Sequence, residues 1–401
     1  MVKRITLLSI ILLIFSCWPE KEVTSKAKWY KGNLHTHSFW SDGNDFPEMV
    51  LGWYKDNGYH FAVISDHNIL QEGEKWKIVS NNKTNTIAYL KYLSKYEDNW
   101  VEERENEKGE KFVRLKTLDE IKPVLEVPED FIIIQSEEIS DSYNDKPIHL
   151  NVTNIQSLIM PAGGKSVSNV IQNNIDQAIK QRDETGIPMI IHLNHPNFMW
   201  AVTPEDIKKL KGERFFEIYN GHPLVNNYGD SLRPGMEEIW DIVQTSYLKE
   251  GKPLLYGLSV DDAHHYHKFS IDKINPGRGW VMVKSDTLSP GAIINSLEKG
   301  DFYSSTGVIL EDIIFENNTL QVIVRKDPNV NYKIQFFGNK VSNGEGGTEL
   351  LLEVEGTTAS YTLTKEDLFV RAKIISDKLK ENAQFVGEFE VAWVQPVLPR
   401  K

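Results

Sequence analysis

Cysteine is almost absent from this chain of 401 residues. Cys17 is the single one, so no disulfide can form within the chain. No serine or cysteine nucleophile is evident either. The sequence therefore excludes a small fold held together by disulfides, and it gives no support to catalysis through an activated thiol or hydroxyl.

Runs of basic residues are also missing. Lysine and arginine number 45 against 57 aspartate and glutamate residues, which gives a formal net charge of -12 at pH 7. No arginine-rich stretch interrupts this excess of negative charge. Because proteins that bind nucleic acids neutralise phosphates with clustered lysine and arginine, we expect no nucleic-acid binding.

The apolar run near the N-terminus, Ile5 to Phe15, is too short to span a bilayer as a helix. It follows two basic residues and ends just before Cys17, an arrangement typical of a targeting segment. Residues 14–17, Ile-Phe-Ser-Cys, resemble a bacterial lipoprotein cleavage box, although Phe15 is bulkier than the usual residue there. The alternative is a plain signal peptide in which Cys17 is incidental.

This interpretation divides the N-terminus into a lipoprotein signal peptide, residues 1–17, and a polar tether, residues 18–28. Lipidation of Cys17 would add several acyl chains, which anchor a protein stably where a single chain does not. We therefore expect the chain to be lipid-anchored in the bacterial cell envelope, at the outer membrane or the periplasmic face, and to act outside the cytoplasm.

Histidine and aspartate are concentrated around the first two predicted strands. His35 and His37 stand two residues apart after a strand-like run, so their side chains point to the same face and can chelate one ion. Asp42 follows in Ser-Asp-Gly, a sequence that also forms turns. Asp66 and His67 come at the end of the next strand-like run. Because two histidines alone are weak evidence, the other strand ends decide whether this is a metal site.

Residues of metal-binding type do follow the other predicted strands. A helix is predicted from Pro47 to Gly58, since proline suits a first helical turn and glycine suits the C-terminal stop. The later strand-like runs and the polar residues they carry are Tyr59–Ile64 with Asp66 and His67, Phe131–Ile134 with Glu137 and Glu138, Ile148–Thr153 with His149, Pro188–Leu193 with His195, Phe215–Tyr219 with Asn220, and Pro253–Val260 with Asp262 and His264. Eleven histidines placed at random would not cluster in this way. The pattern is typical of barrel enzymes, whose chemistry lies at the carboxyl ends of strands.

The motifs His-Thr-His, Ser-Asp-Gly, Ser-Asp-His-Asn, Glu-Glu-Ile-Ser, Asn-His-Pro and Asp-Ala-His occur in this order and resemble the PHP (polymerase and histidinol phosphatase) domain. The resemblance covers residues 29–308. It implies an α/β fold, a distorted (β/α)7 TIM-like barrel with a trinuclear metal site. The stretch from Arg278 to Gly307 is similar to a secreted or lipid-anchored branch, the carbaryl-hydrolase group. These motifs are specific for the fold and the metals, and poorly specific for the substrate.

The resemblance also implies a role for each metal-type residue. The implied ligands are His35, His37 and Asp262 for a first metal, His149 and His195 for a second, Glu138 as the bridge between these two, and Asp42, His67 and His264 for a third. Glu138 is preferred over Glu137 because it directly precedes Ile-Ser. Asp66 would orient an imidazole by accepting its other N–H, while His60 and His222 are interpreted as structural. The implied cofactors are two to three divalent ions of zinc, manganese or iron, since mixed histidine and carboxylate ligands accept all three.

Such ions would lower the pKa of a bridging water and coordinate the oxygens of a phosphoryl group. Three residues are candidates for catalytic roles beside them. Asp66 or His264 would manage the proton of the leaving group, and the Arg278 guanidinium would bind phosphate through two parallel hydrogen bonds. The alternative for Arg278 is a surface arginine in a Pro-Gly-Arg-Gly turn.

The activity implied is that of a metal-dependent hydrolase, a phosphoesterase acting on a small phosphorylated or ester substrate. Two alternatives stay open. The first is a hydrolase of carboxyl esters, carbamates or amides that uses the same metal centre. The second is a lipid-anchored binding protein that keeps the metals for structure or ligand capture.

Three further segments complete the predicted organisation. Residues 68–130 form an insertion, whose dense charge run Lys95–Lys111 predicts a solvated helical face or a mobile lid. The apolar stripe of Ser166–Ile179 predicts an amphipathic crossover helix. Residues 309–401 contain short strand-like runs separated by turn residues, which predict a small antiparallel β-sandwich.

Overall fold

The structure of the chain is a computed structural model, which describes residues 27–97, 99–212 and 214–400. The predicted signal peptide, its Cys17 and nearly all of the predicted tether lie outside these residues. Within them, no helix is both long enough and apolar enough to cross a bilayer.

The described residues form a mixed α/β structure with seven helices and nineteen strands. The helices are α1 (Pro47–Asp56), α2 (Lys83–Lys95), α3 (Leu118–Leu125), α4 (Val167–Thr185), α5 (Pro204–Ile207), α6 (Met236–Lys249) and α7 (Pro290–Lys299). The strands are β1 (Lys28–Asn33), β2 (Phe61–Ile64), β3 (Trp76–Ile78), β4 (Glu103–Glu105), β5 (Lys111–Arg114), β6 (Ile132–Tyr143), β7 (Lys146–Thr153), β8 (Ile190–Leu193), β9 (Phe215–Asn220), β10 (Tyr256–Val260), β11 (Trp280–Ser285), β12 (Phe302–Ser305), β13 (Leu310–Glu316), β14 (Thr319–Val324), β15 (Tyr332–Lys340), β16 (Glu349–Glu355), β17 (Thr358–Thr362), β18 (Asp367–Leu379) and β19 (Phe389–Val397).

Thirteen strands join into one mixed sheet, in the order β10-β9-β8-β7-β6-β2-β1-β11-β12-β19-β18-β15-β16. Strands β10, β9 and β8 pair in parallel, and so do β6, β2 and β1. Strand β7 is antiparallel to both of its neighbours. It is the second strand of a hairpin with β6, and the two-residue turn uses Asn144 and Asp145 at positive φ, as tight hairpin turns require.

Backbone hydrogen bonds beyond the ends of β1 and β10 close seven of these strands into a ring. Thr36 forms a parallel bridge with Ala263, His37 N donates to Ala263 O (2.9 Å), and Asp262 N donates to His35 O (3.0 Å). The ring contains β1, β2, β6, β7, β8, β9 and β10. The predicted α/β class is confirmed. A regular alternation of strand and helix is not found, because the antiparallel β7 follows β6 through a tight turn without a helix.

Helices α1 and α4 match the predicted helices, and their ends explain why. Pro47 begins α1, where its missing N–H costs nothing. The Ser166 side chain accepts a hydrogen bond from Asn169 N at the start of α4, and Gly186 ends it at φ 65°. These are local signals, so the sequence alone was sufficient to find both helices.

The predicted helical face within Lys95–Lys111 is wrong. Much of this charge run lies in the hairpin of β4 and β5, which pair in antiparallel register. Val113 of β5 is fully buried, and the Arg104 guanidinium of β4 lies 4.2 Å from the centroid of the Trp76 ring. Arginine and lysine stems cover apolar surface while their charges reach water, so a highly charged run can still form strands.

The C-terminal part consists of two antiparallel layers. Strands β13, β14 and β17 form a separate sheet, and its apolar residues share one buried cluster with those of β15, β18 and β19. Strand β19 also pairs with β12, so the second layer continues the sheet that contains the ring strands. Strand β17 was not predicted, because its alternating threonine and serine residues carry little apolar signal.

Candidate metal centre

All nine predicted ligands converge at one end of the ring, on or after its parallel strands and, for His149, on the first half of the antiparallel β7. Eight of them are buried or half-buried, and the Asp42 side chain is 57% exposed. The nine are His35, His37, Asp42, His67, Glu138, His149, His195, Asp262 and His264. The segments that carry them come from widely separated parts of the chain, and the ring closure brings these segments together.

Four of these residues surround one point. The Nε2 atoms of His35 and His37 are 3.1 Å apart. Asp262 Oδ1 lies 3.3 Å from the first of these atoms and 3.2 Å from the second. Glu138 places one carboxylate oxygen 3.4 Å from each of them. This set, two imidazoles and two carboxylates, is the set of atoms that zinc, manganese or iron prefers.

Glu138 also faces three further imidazoles. Its Oε2 lies 2.8 Å from His67 Nδ1, and its Oε1 lies 3.1 Å from His149 Nδ1 and 3.5 Å from His195 Nε2. Glu138 Oε2 and His149 Nδ1 are buried, and despite these short distances neither atom has a partner in hydrogen-bond geometry among the described residues. Buried polar atoms without a partner are costly, so their lone pairs indicate that a cation belongs between them.

Asp42 lies among a second group of imidazoles. Its oxygens are 3.5 Å from His67 Nε2 and 3.3 Å from His264 Nε2. The His37 ring stacks on the His264 ring, with centroids 4.0 Å apart. This group therefore adjoins the first one, and together they have the ligands for more than one ion.

Hydrogen bonds on the far side of two imidazoles fix which ring nitrogen carries the proton, and a third imidazole contacts a serine hydroxyl. His35 Nδ1 lies 2.6 Å from Glu217 Oε1, and His264 Nδ1 lies 2.7 Å from Asp262 O. His67 Nδ1 lies 2.6 Å from Ser140 Oγ. Because a carboxylate and a carbonyl only accept, the Nδ1 atoms of His35 and His264 carry the protons. Their Nε2 atoms face the centre, where a metal ion would bind them.

Glu217 is the main residue that the sequence interpretation missed. It is fully buried in β9, it also accepts a hydrogen bond from His195 N, and Asn220 Nδ2 donates to it. The signal was available, since a single carboxylate within the apolar run Phe-Phe-Glu-Ile-Tyr is unusual. Asn194 was missed as well, and its Nδ2 donates to Glu138 Oε1 at 2.7 Å.

Two of the ligands sit in unusual backbone conformations. His195 has φ 26° and Asp262 has φ 52°, a region that residues other than glycine rarely adopt. Such conformations cost free energy and persist where the surrounding structure holds them, often at functional sites. Each lies two residues beyond the end of a ring strand, where this bend turns its side chain toward the centre.

Neighbouring groups in the centre shift one another's pKa values. Burial opposes ionisation of Glu138, but the nearby imidazoles of His67 and His35 hold its pKa well below the usual range. Burial likewise opposes ionisation of Asp262, and His35 again lowers its pKa. Burial and the neighbouring His264 lower the pKa of His37 to about 3. The carboxylates are therefore ionised and His37 is neutral at pH 7, the forms that bind a metal.

The choice of Glu138 over Glu137 agrees with the geometry. Neighbouring residues on a strand point to opposite faces, and Glu137 Oε2 accepts from Ile159 N on the other side of β6. Among the described residues, Glu137 has no charged neighbour that offsets its burial, and burial raises its pKa to about 7.

Asp66 does not orient an imidazole directly, which corrects that prediction. Its carboxylate accepts hydrogen bonds from Ser38 N, Ser41 Oγ and Gln71 Nε2. Ser41 Oγ in turn lies 3.5 Å from His37 Nδ1. Asp66 thus supports the loop after β1, and Glu217 has the role predicted for it.

Arg278 does not bind at the centre either, and it is not a surface residue. It is fully buried, and its guanidinium donates to Gly221 O (2.8 Å) and Ser270 O (3.0 Å). Its backbone N–H donates to Asp261 Oδ1. With these donors used on the protein itself, Arg278 holds loops together behind Asp262.

Two histidines outside the predicted set lie beside the centre. His192 is fully buried with Nε2 3.4 Å from Glu217 Oε1. His222 is half-buried, and its ring centroid lies 6.2 Å from that of His264. Burial lowers the pKa of His222 to about 4, so its imidazole is neutral at pH 7.

No model of a known protein family matches this sequence, and no curated protein matches it. Among solved structures, the chain is similar to a two-domain protein from Bacteroides vulgatus described as containing a predicted PHP-like metal-dependent phosphoesterase. That similarity has 12% identity and a TM-score of 0.41, and it covers 92% of this chain and 96% of that one.

Two further solved structures cover 59% of this chain and 88% of their own, each at 11% identity. One is from Bifidobacterium adolescentis, is described as a proposed metal-dependent phosphoesterase, and has a TM-score of 0.27. The other is an amidohydrolase from Chromobacterium violaceum with bound sulfate and no metal, and it has a TM-score of 0.29. The resemblance to the carbaryl-hydrolase group stays a prediction.

Proposed function

We propose that this chain, whose motifs are those of the PHP family, is a metal-dependent hydrolase that cleaves small phosphate esters. The observation that carries the proposal is the position of Glu138. This fully enclosed carboxylate faces five imidazoles from four separate segments, and one of its oxygens has no hydrogen-bond partner among the described residues. Five imidazoles around one carboxylate are more than a structural ion pair needs, and they are the ligand types of divalent metal ions.

The residues present fit the metals that the motifs imply. A first ion would be held by His35, His37 and Asp262, a second by His149 and His195, with Glu138 between them, and a third by Asp42, His67 and His264. When bound, such ions supply a water that ionises near neutral pH and positive charge for the oxygens of a phosphoryl group.

The protein's own contribution is to hold these ligands in place before substrate arrives. Glu217 fixes the His35 ring, and Ser140 bonds the His67 ring. Asn194 holds Glu138 from the side, and Asn220 donates to Asp262 Oδ2 at 3.1 Å. Ligands held by such outer contacts need little reorganisation during the reaction, which favours catalysis over simple binding.

A cation for the substrate comes from the insertion. With the arginine predicted for this role buried, we infer that Lys77 of β3, whose charge interacts with Asp66 and Asp42, takes it. Burial and the neighbouring Lys75 lower the pKa of Lys77, the two aspartates oppose that shift, and its Nζ lies 4.4 Å from the centroid of the Phe39 ring. An ammonium beside this centre supports an anionic substrate.

Hydrolysis of p-nitrophenyl phosphate, bis-p-nitrophenyl phosphate and 1-naphthyl methylcarbamate by the metal-loaded protein tests the proposal. We expect turnover of at least one phosphate ester, lost in His37→Ala and Glu138→Ala and kept in Glu137→Gln, which lies on the other face of β6. Cleavage of the carbamate alone would replace the proposal with the carboxyl-type hydrolase. No turnover of any ester, with metal bound, would favour the binding protein.

We further propose that the enzyme is lipid-anchored in the bacterial cell envelope through Cys17. The support is the sequence of residues 14–17 after a short apolar run. Labelling of growing cells with palmitate should mark the wild-type protein and leave Cys17→Ser unmarked. An unmarked wild-type protein that is still exported would favour the plain signal peptide.

A further inference from the structure

The turn between β18 and β19 reaches from the C-terminal layers to the metal centre. Gln384 in this turn is 9% exposed, and its Nε2 donates to the carbonyls of His222 and Asn220. Its Oε1 accepts from Asn227 Nδ2 at 3.0 Å. One side chain therefore holds the loop that follows β9, although 162 residues separate it from His222.

His222 is the residue of this loop that faces the centre. Its Nδ1 accepts a hydrogen bond from Leu224 N at 3.0 Å, so the neutral ring carries its proton on Nε2. Its ring lies beside His264, and its backbone N–H donates to Asn220 Oδ1 at 2.8 Å. The same Asn220 side chain donates to Asp262 Oδ2, so the position of His222 is tied to a metal ligand.

The Nε2–H of His222 has no partner among the described residues, and the ring is half-buried and reachable from solvent. The three residues that the sequence predicted for catalytic roles do not offer a free donor at this position. Arg278 donates to carbonyls, and Asp66 only accepts. His264 uses its Nδ1–H on Asp262 O. A positioned donor without a partner, at the rim of a charged centre, is what a leaving group needs.

We propose that His222 donates a hydrogen bond from Nε2–H to the leaving-group oxygen of the substrate, and that Gln384 positions it from the C-terminal layers. This inference rests on the proposed phosphoesterase function. As the P–O bond breaks, its electron pair stays on the leaving oxygen, and the imidazole N–H stabilises that developing charge without transferring its proton. His222 is then a catalytic residue, and Gln384 is a positioning residue.

The test compares two leaving groups. p-Nitrophenolate is stable without help, whereas phenolate needs stabilisation, so loss of the donor should affect phenyl phosphate far more than p-nitrophenyl phosphate. The variant is His222→Asn in the full chain, purified in detergent and loaded with metal. Its Oδ1 can still accept from Leu224 N, while the Nε2–H is gone. His222→Gln is the matched variant, because its amide can reach the position of Nε2–H.

We expect His222→Asn to lower kcat about 10²-fold on phenyl phosphate and less than about tenfold on p-nitrophenyl phosphate, with unchanged metal content. His222→Gln should recover part of the phenyl phosphate activity. Gln384→Met keeps the shape of the side chain and loses its hydrogen bonds. It should also lower kcat more on phenyl phosphate than on p-nitrophenyl phosphate, but by a smaller factor. Imidazole ¹⁵N–¹H spectra should show the proton of His222 on Nε2.

Equal losses on the two esters, or no loss, would overturn the role of His222 while leaving the phosphoesterase intact. A proton found on Nδ1 would overturn it as well. A metal-loaded wild-type protein that hydrolyses neither these monoesters nor the matching diesters would instead overturn the proposed function, and this inference with it.

Discussion

The metal centre and the C-terminal layers bury their side chains for opposite reasons. The centre buries charge, since Glu138 and Glu217 are at most 1% exposed and His35 lies between them. The C-terminal layers bury apolar groups, and Leu320 and Phe336 are fully buried there. Burying charge costs free energy unless it is compensated, whereas burying apolar surface is favourable by itself.

This contrast indicates what each region depends on. The C-terminal layers need only correct packing, so they should be insensitive to metal. The centre brings carboxylates and imidazoles within a few ångströms, so ions or protons must balance it. The two regions meet at Gln384. There a turn of the C-terminal layers supports a loop beside the metal centre.

The largest expected effect is on kcat/KM, and it should distinguish two neighbouring glutamates on opposite faces of β6. Glu138→Gln should lower kcat/KM for phosphate esters by at least about 10³-fold, or about 4 kcal/mol, because the carboxylate between the imidazoles loses its charge. Steady-state kinetics with metal analysis measures this. Glu137→Gln is the matched control, since its amide oxygen can still accept from Ile159 N. Similar losses in both variants would contradict the assignment.

The second prediction concerns the C-terminal layers. Phe336→Ala should lower the free energy of unfolding by about 3–5 kcal/mol, because it removes a fully buried ring and leaves a cavity. Urea denaturation measures this loss. Gln335→Ala, on the opposite face of β15, should change it by less than about 0.5 kcal/mol. The contrast between the regions fails if Phe336→Ala also lowers metal affinity.

The third prediction is that metal stabilises the protein through the centre alone. Zinc or manganese at 100 times its Kd should raise the free energy of unfolding by about 2.7 kcal/mol, which a chelator should reverse. Phe336→Ala should keep this increment, and Glu138→Gln should lose most of it. Thermal denaturation with and without metal measures both. An unchanged increment in Glu138→Gln would place the binding elsewhere.

The smallest effect concerns a residue that contacts ligands and not the reacting groups. Glu217→Gln should weaken metal binding about 10–100-fold, because the amide orients His35 less strongly than the carboxylate does. Titration with a competing chelator measures this. Glu237→Gln on α6, which alters the ion pair with Lys373 of β18, should leave the affinity unchanged.

Much of the centre could be predicted because its signals are local. The spacing of His35 and His37 and the alternation of Glu137 and Glu138 are properties of single strands, and the structure brings all nine predicted ligands together. Glu217 escaped prediction because one carboxylate in an apolar run has no motif around it. Its role appears only when the closed ring brings Glu217 of β9 to the His35 ring.

The wrong predictions share a different cause. Arg278 was expected at the centre, but its partners Gly221 and Ser270 come from separate loops. The role of Asp66 likewise depends on Ser38 and Gln71, which the fold brings to it. A side chain's charge can be read from the sequence, but the partners that use that charge cannot.

The sequence by itself determined the ring strands, the helix ends and the set of metal-type residues, because periodicity and capping act over a few residues. The tertiary structure decided which polar groups meet. It paired Glu217 with His35, buried Arg278, and brought Gln384 to the loop of His222. The physical reason is distance along the chain: these contacts form only after the ring has closed and the C-terminal layers have packed against it.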